Sequence, residues 1–346
     1  GLRPFRKNLS YHGVDVDQLI DDHSDPIEEM YDEILDYFRS GDLKPLPYCL
    51  FSGEHVAEAF RFMQRSSHIG KIVVSPAKVA TLPRSAMGKF PVSPDGWHVV
   101  VGGTSGFGFA TAEWLIERGA KHVVLASRSA SPGEALQTRI DEFRRDGIEI
   151  GGMVLDVGDA SACRRVFADL AGIRPIRGIV HAAMVLDDRL IQNMDREAIQ
   201  KVLIPKVSGA LNLEALAGTL AVDYLLLFSS ATTFLGNPGQ YNYVAANGFV
   251  EGLARRAQAR GLPVLAVAWG GIEDAGYLAC NISANTSLRH RFASSLLSAR
   301  SALNALDLAF DPYGRVSADV LGIAKIDWPM ARRELALARS PLLSAV

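Results

Sequence analysis

From residue 97 onward, short runs of apolar and β-branched residues alternate with longer stretches whose apolar positions recur every three to four residues. The runs fall at 98–101, 122–126, 152–155, 178–180, 224–229, 263–268 and 316–321. Between them, amphipathic periodicity predicts helices at 108–118, 135–145, 160–170, 195–217 and 242–259. Strands that are apolar at nearly every position must be buried on both faces, which a parallel sheet with helices on either side achieves. The pattern therefore predicts an α/β fold built on a doubly wound parallel sheet.

Residues 1–75 read differently, as a small and incomplete α+β segment. A helix is expected near 26–39, an extended piece at 48–51, a helix at 54–64 and a strand at 71–74. So few elements can hardly enclose a core. Between the two blocks, Pro76, Pro83, Pro91 and Pro94, together with Gly88 and Gly96, interrupt every periodicity, so 76–96 is expected to be a linker before a catalytic unit at 97–346.

Composition narrows the classes of function. The 346 residues are 48% hydrophobic and 21% charged, enough apolar material for a sizeable core. Lys plus Arg is 36 against 38 for Asp plus Glu, with no basic block to neutralise a run of phosphates, which argues against nucleic acid as a partner. The longest apolar stretches, such as 224–228 and 264–268, fall far short of the roughly 20 residues of a membrane span. The first ten residues lack the apolar region of a secretion signal. Cys49, Cys163 and Cys280 show no metal-ligand spacing, so a reducing, cytoplasmic setting is expected, without disulfides or a metal site.

After the first strand comes Gly102-Gly103-Thr104-Ser105-Gly106-Phe107-Gly108, opening a helix. Glycines at 102, 106 and 108 let the turn tighten and the backbone approach a pyrophosphate at the helix N-terminus, the arrangement of a Rossmann-like fold. Thr104, Ser105 and Phe107 share that turn. After the second strand, where an NAD binder would carry a carboxylate for the ribose, this chain has Ser127-Arg128-Ser129. A guanidinium flanked by hydroxyls suits a 2′-phosphate, which points to NADPH. Asp156 and Val157, at the end of the third strand, are placed to hold the adenine edge. Ala182 and Ala183, at the end of the fourth, leave room for the nicotinamide ribose.

Ser230 ends the fifth strand, Tyr243 follows thirteen residues later, and Asn247 lies one helical turn beyond it. Tyr243 and Asn247, at i and i+4, share a helix face. Lys206 is expected near the start of the long helix preceding that strand. Hydride transfer to a ketone calls for this set, because charge growing on the carbonyl oxygen must be protonated. A phenol with a pKa of about 10 is a poor donor at neutral pH unless an ammonium stabilises its anion. Lys206 is thus expected to tune Tyr243 downward, Ser230 to hold the substrate oxygen, and Asn247 to fix a water or the lysine in a relay.

These residues carry a family resemblance. The region from 97 to 343 resembles the ketoreductase domain of polyketide synthases, a branch of the short-chain dehydrogenase/reductase superfamily. The matching features are the Gly102 to Gly108 turn, His181-Ala182-Ala183, Lys206 in Ile-Pro-Lys-Val-Ser-Gly, Ser229-Ser230, the Gly-Gln-Tyr-Asn-Tyr243-Val-Ala-Ala-Asn247 segment and Ala268-Trp269-Gly270. In most short-chain dehydrogenases the lysine follows the tyrosine by four residues. Here Asn247 holds that place and the lysine lies upstream, as in the polyketide branch. The resemblance implies NADPH-dependent reduction of a β-ketoacyl chain tethered to an acyl carrier protein by phosphopantetheine, alongside neighbouring enoylreductase and dehydratase domains.

Leu186-Asp187-Asp188 resembles the signature of B-type ketoreductases, and position 235, often tryptophan in A-type enzymes, is leucine. Together with Tyr277, which opens a polar stretch reaching to about residue 300 and expected to act as a lid, these residues are expected to face the substrate and set its stereochemistry. Val101 and Met184 depart from the family pattern, the latter narrowing the space near the nicotinamide. The N-terminal block, through Arg6-Lys7-Asn8-Leu9-Ser10 and His68-Ile69-Gly70-Lys71, resembles the C-terminal end of a polyketide synthase enoylreductase, nearest to the mycobacterial mycocerosic-acid-synthase-like group. Lacking the nucleotide-binding half, it is expected to be inactive. Two rival readings stay open on the sequence: a free-standing reductase of a small diffusible substrate, and a non-catalytic nucleotide-binding scaffold.

Overall fold

The structure, a computed structural model, describes residues 24–52, 55–65, 69–75, 88–129, 133–276, 294–328 and 331. The chain divides into two compact units, Gly1–Leu82 and Pro83–Val346.

In the first unit a helix (Ser24–Ser40) precedes β1 (Tyr48–Ser52), a second helix (Val56–Gln64) and β2 (Lys71–Ser75). β1 and β2 pair in parallel, from Tyr48 opposite Lys71 to Ser52 opposite Ser75. Parallel strands ordinarily need cover on both faces. Tyr48, Leu50 and Val73 nevertheless stay exposed, and Ala59 is the one buried hydrophobic residue among those described in this unit.

The second unit is built on β3 (Trp97–Val101), β4 (His122–Ser127), β5 (Glu149–Val154), β6 (Ile176–His181), β7 (Tyr224–Ser230), β8 (Val264–Trp269) and, after the short β9 (Ser294–Ser295), β10 (Val320–Ile323). Seven of these strands form one sheet in the order β10-β8-β7-β6-β3-β4-β5, every neighbouring pair parallel. Successive residues of a strand point to opposite faces, and both faces are buried. Val100, Leu125, Val180, Leu226 and Val267 join one apolar cluster, and Val99, Val124, Ile179, Leu225 and Ala266 the other. Each such side chain contributes roughly 1.5–3 kcal/mol by leaving water. The chain winds outward from β3 through β4 to β5, then returns to lay β6 on the other side of β3. That reversal opens a crevice at the carboxyl ends of β3 and β6, where such sheets bind their ligands.

Three features differ from the sequence expectation. β5 begins at Glu149 rather than near 152, its start disguised by Gly151-Gly152, which weaken any strand pattern. The helix expected at 195–217 is three pieces: Arg196–Leu203, a π turn at Ile204–Ser208, and Gly209–Ala217. Pro205 accounts for the break, because it offers no N–H and its ring clashes with the carbonyl four residues back, so the ordinary ladder cannot pass. Lys206 therefore sits in a widened turn between two helices, not near the start of one. The last sheet strand is Val320–Ile323, while Val316 instead makes an antiparallel bridge to Phe310.

Of the expected linker, residues 76–87 lie outside the described residues, while 88–96 belong to the second unit and pack within it. Phe90 is 3% exposed, with its ring 4.5–5.0 Å from those of Trp114, Tyr224 and Phe310. Its N–H donates to Asp307 at 2.8 Å, and Gly88 N–H to the Phe310 carbonyl at 3.0 Å. Isolated apolar residues among prolines carry no periodicity, so the sequence pattern hid this anchor.

Candidate active site

A cavity of about 970 Å³ opens at the carboxyl ends of the central strands. Its floor is the turn leaving β3. Gly102 has φ +83° and Gly106 φ +51°, the left-handed region in which side chains are strained. A Cβ at Gly102 would stand 2.6 Å from the Ala183 backbone nitrogen, and one at Gly108 would stand 2.1 Å from the Gly102 carbonyl oxygen. Only bare backbone fits this cradle, and the helix Gly106–Glu117 starts from it with its N-terminal amides facing the cavity end.

All the residues expected to hold nucleotide line this one cavity: Gly102, Thr104, Ser105, Gly106, Phe107, Gly108, Ser127, Arg128, Asp156, Val157, Ala182 and Ala183. Asp156 and Val157 lie just past β5 rather than within it, and the Asp156 carboxylate accepts the Gly158 N–H at 2.9 Å. Ser127 Oγ donates to the Ser129 carbonyl, which closes the loop that presents Arg128. Among the described residues Arg128 has no carboxylate partner, so its guanidinium is left to the cavity rim.

Ser230, Tyr243 and Lys206 line the same cavity. The Lys206 ammonium lies 5.5 Å from the centroid of the Tyr243 ring. Ser230 Oγ accepts from Thr232 twice, from its N–H at 3.3 Å and its hydroxyl at 3.0 Å, which leaves the Ser230 O–H available as a donor. Asn247 is fully buried behind Tyr243 rather than on the cavity wall. It donates from Nδ2 to the Tyr243 carbonyl at 2.8 Å, and its Oδ1 has no partner among the described residues.

Burial governs the electrostatics. Lys206 is 2% exposed, and loss of water pulls its pKa from 10.5 to about 7. Tyr243 moves upward, contrary to the sequence expectation of a lowered phenol. Burial is the largest cause, the Asp188 carboxylate adds to it, and hydrogen bonding to Asn247 and Ser230 opposes it. The Lys206 amine, itself stripped of water, does not offset that burial.

The Leu186-Asp187-Asp188 loop divides. Leu186 lines the cavity, as do Met184 and Leu235, and the Tyr243 hydroxyl approaches Met184 Sδ at 3.8 Å. Asp187 and Asp188 do not line it. Asp187 is bound by Arg189 at 2.8 Å and Lys201 at 3.1 Å, whose hydrogen bonds lower its pKa. Asp188 accepts from Gln240 Nε2 at 2.9 Å, and the Asp187 carbonyl accepts from Asn242 Nδ2 at 3.0 Å. The loop is thereby stitched to the start of the Tyr241–Ala259 helix that carries Tyr243. Tyr277 and most of the expected lid, 277–293, lie outside the described residues.

Sequence reasoning missed two ties. Gln240, three residues before Tyr243, both lines the cavity and holds Asp188. Glu251, two turns beyond Tyr243, accepts a 2.6 Å hydrogen bond from the buried Ser229 and so joins the end of β7 to the same helix. No local pattern marks the second tie, because positions i and i+8 lie about 80° apart around a helix and Glu251 does not share the Tyr243 face. Among the described residues no group of three His, Cys, Asp or Glu side chains could hold a metal ion, and no helix is long and apolar enough to cross a membrane.

Comparison with known proteins gives the arrangement its place. Residues 96–274 match the family model of the KR domain, and residues 1–74 match that of zinc-binding dehydrogenases. The chain is 36% identical over 280 residues to a component of the phenolphthiocerol/phthiocerol polyketide synthase of Mycobacterium tuberculosis, covering 80% of this chain and 13% of that protein. It is 33% identical over 311 residues to a highly reducing polyketide synthase of Alternaria alternata, covering 89% of this chain and 12% of that one. The chain thus spans about an eighth of the curated relatives it matches. Among solved structures, an A1-type ketoreductase superimposes with a TM-score of 0.68 at 29% identity, covering 75% of this chain and 54% of its own. The ketoreductase from the first module of phoslactomycin biosynthesis in a Streptomyces gives 0.65 at 30%, covering 74% and 59%. Ketoreductase domains are nicotinamide-dependent oxidoreductases, and the glycine cradle, the strand-end crevice and the Ser230, Tyr243 and Lys206 cluster fit that chemistry. The chain belongs to the ketoreductase domain family of polyketide synthases.

Proposed function

We propose that this chain reduces a β-ketoacyl thioester, carried on the phosphopantetheine arm of an acyl carrier protein, to the β-hydroxyacyl thioester with NADPH as reductant. The reading places it among neighbouring enoylreductase and dehydratase domains in a cytoplasmic synthase. The observation that carries it is the meeting of Ser230, Tyr243 and Lys206 in the one cavity that the glycine turn floors.

When bound, NADPH supplies the hydride. The cradle of Gly102, Gly106 and Gly108 fits a pyrophosphate, because a Cβ at any of the three would meet backbone within 2.7 Å. Arg128, flanked by Ser127 and Ser129, is suited to a 2′-phosphate. Ser230, whose lone pairs are occupied by Thr232, donates its proton to the ketone oxygen and holds it. Tyr243 delivers the proton as charge grows on that oxygen. Its raised pKa keeps the phenol protonated until then. Lys206 stands beside the ring to stabilise the phenolate that remains. Asn247, its Oδ1 unclaimed, takes a water or the lysine as its partner for reprotonation.

The B-type stereochemical reading rests on Leu186, which lines the cavity in a loop fixed by Asp187 and Asp188, and on Leu235 standing where tryptophan marks the A type. Tyr277 completes the substrate-facing set in this reading. Tyr243→Phe tests the assignment: turnover of a β-ketoacyl N-acetylcysteamine thioester is expected to vanish while NADPH binding, followed by fluorescence, stays within about twofold. Undiminished turnover refutes it. Dependence of kcat/KM on a carrier protein separates this function from a reductase of small diffusible ketones, and binding without turnover would support the scaffold reading.

A further inference from the structure

His181 ends β6, directly behind the turn that carries Lys206. It is 1% exposed, and its Nε2 lies 3.3 Å from the Lys206 carbonyl oxygen. Its Nδ1 has no partner among the described residues. The only role that satisfies the ring is a neutral tautomer in which Nε2–H donates to that carbonyl and Nδ1 is bare. Burial, reinforced by the nearby Lys206 ammonium, drives the His181 pKa down to about 4, so the ring stays a neutral donor throughout the physiological range.

The surroundings are shaped for this contact. Pro205 forces the π turn at Ile204–Ser208 and leaves its carbonyls out of the ordinary helical ladder. The next residue, Gly209, is helical, so its glycine is not needed for backbone freedom. A Cβ there would stand 3.1 Å from His181 Nε2 and 2.8 Å from Val157 Cγ1. The missing side chain lets the helix press against the imidazole, and the Gly209 N–H reaches the same Lys206 carbonyl. One imidazole and one glycine thus grip the carbonyl whose Cα carries the lysine.

We propose that His181 is the positioning residue for Lys206: its Nε2–H fixes the widened turn and thereby holds the ammonium against the Tyr243 ring. This inference rests on the reductase reading, in which Lys206 serves the chemistry. The imidazole does not line the cavity, so it acts on the chemistry through Lys206.

The test compares His181→Leu, which keeps bulk but not the donor, with His181→Gln, which restores an N–H at similar reach, and with Gly209→Ala, which pushes the helix off the ring from the other side. Steady-state kinetics use NADPH and a β-ketoacyl N-acetylcysteamine thioester. Hydrogen exchange by mass spectrometry follows the amides of residues 204 and 206–209. His181→Leu is expected to lose on the order of 10²-fold in kcat with KM for the thioester changed by no more than about threefold, the signature of a misplaced catalytic group. Exchange in the turn should quicken. Gly209→Ala should reproduce both effects, and His181→Gln should recover kcat to within about fivefold. Wild-type kcat in a folded His181→Leu variant, or a loss confined to KM, overturns the proposal. Should His181→Leu fail to fold, a Gly209→Ala variant with normal kcat and exchange overturns it equally. Absence of NADPH-dependent turnover in the unmodified protein would instead sink the reductase reading, and the exchange data would still report whether His181 holds the turn.

Discussion

Lys206 offers a prediction that depends on no substrate. Its amine is almost wholly buried, and the fall of its pKa from 10.5 to about 7 means that the folded protein releases a proton the unfolded chain keeps. At about 1.36 kcal/mol per pH unit, that difference makes an upper bound of roughly 5 kcal/mol of destabilisation. The sign follows from proton counts. Between about pH 7 and 10.5 the unfolded state binds more protons than the folded one, so the contribution of this residue to stability improves as pH rises. Below about pH 7 both states are charged and the full penalty stands; above 10.5 both are neutral and it disappears. Lys206→Met removes the charge and keeps most of the apolar stem. Unfolding by urea, without nucleotide, should show the variant more stable than wild type by several kcal/mol at pH 6.5, with the gap closing steadily toward pH 10. Taking the difference between two proteins at each pH cancels titrations common to both. A gap that is absent at pH 6.5, or that stays constant across the range, would mean that the amine keeps its water and that the burial argument is wrong.

Two other substitutions probe the rest of the site. Arg128→Ala should lower NADPH affinity by about 10–100-fold, the worth of one or two charge-assisted hydrogen bonds, and leave NADH affinity within about threefold, as measured by titration calorimetry. An equal loss for both nucleotides would remove Arg128 from 2′-phosphate recognition. Ser229→Ala, Glu251→Ala and the double variant form a cycle across the 2.6 Å bond that joins β7 to the Tyr243 helix. A coupling of about 1–3 kcal/mol in thermal or chemical unfolding is expected, and strict additivity would show that the bond contributes nothing.

Much of this arrangement was legible in the sequence, for a physical reason: both sheet faces and the nucleotide turn are written in local patterns. Runs such as 98–101 and 224–229 lie within a residue or two of β3 and β7, because strands buried on two sides have nowhere to put polar residues. Tyr243 and Asn247 could be placed on one helix face by spacing alone. What escaped was set by tertiary contact. The π turn at Ile204–Ser208 has the same apolar rhythm as the helices on either side, so only Pro205 betrayed it. Phe90 looked like one more residue of a proline-rich linker until Trp114, Tyr224 and Phe310 surrounded it. Ser229 gave no sign of its partner, because Glu251 lies a strand end, a loop and half a helix away.

The same limit explains the error over Tyr243. Sequence spacing brings an amine and a phenol together and suggests that the one lowers the pKa of the other. It cannot state how much water each loses on the way. In the folded protein burial acts on both at once, in opposite directions: the phenol rises and the amine falls. A raised pKa makes the phenol a weaker acid, so in the proposed reduction Lys206 must act on the phenolate as it forms rather than on the resting phenol. An amine with a pKa of about 7 stands near the midpoint of its titration at neutral pH. It can therefore gain or lose a proton at little free-energy difference as the phenol empties, which a solvated lysine at 10.5 could not do. In the proposed reduction the burial that both share sets the resting state of the pair, and the charge of Lys206 acts once the phenolate forms.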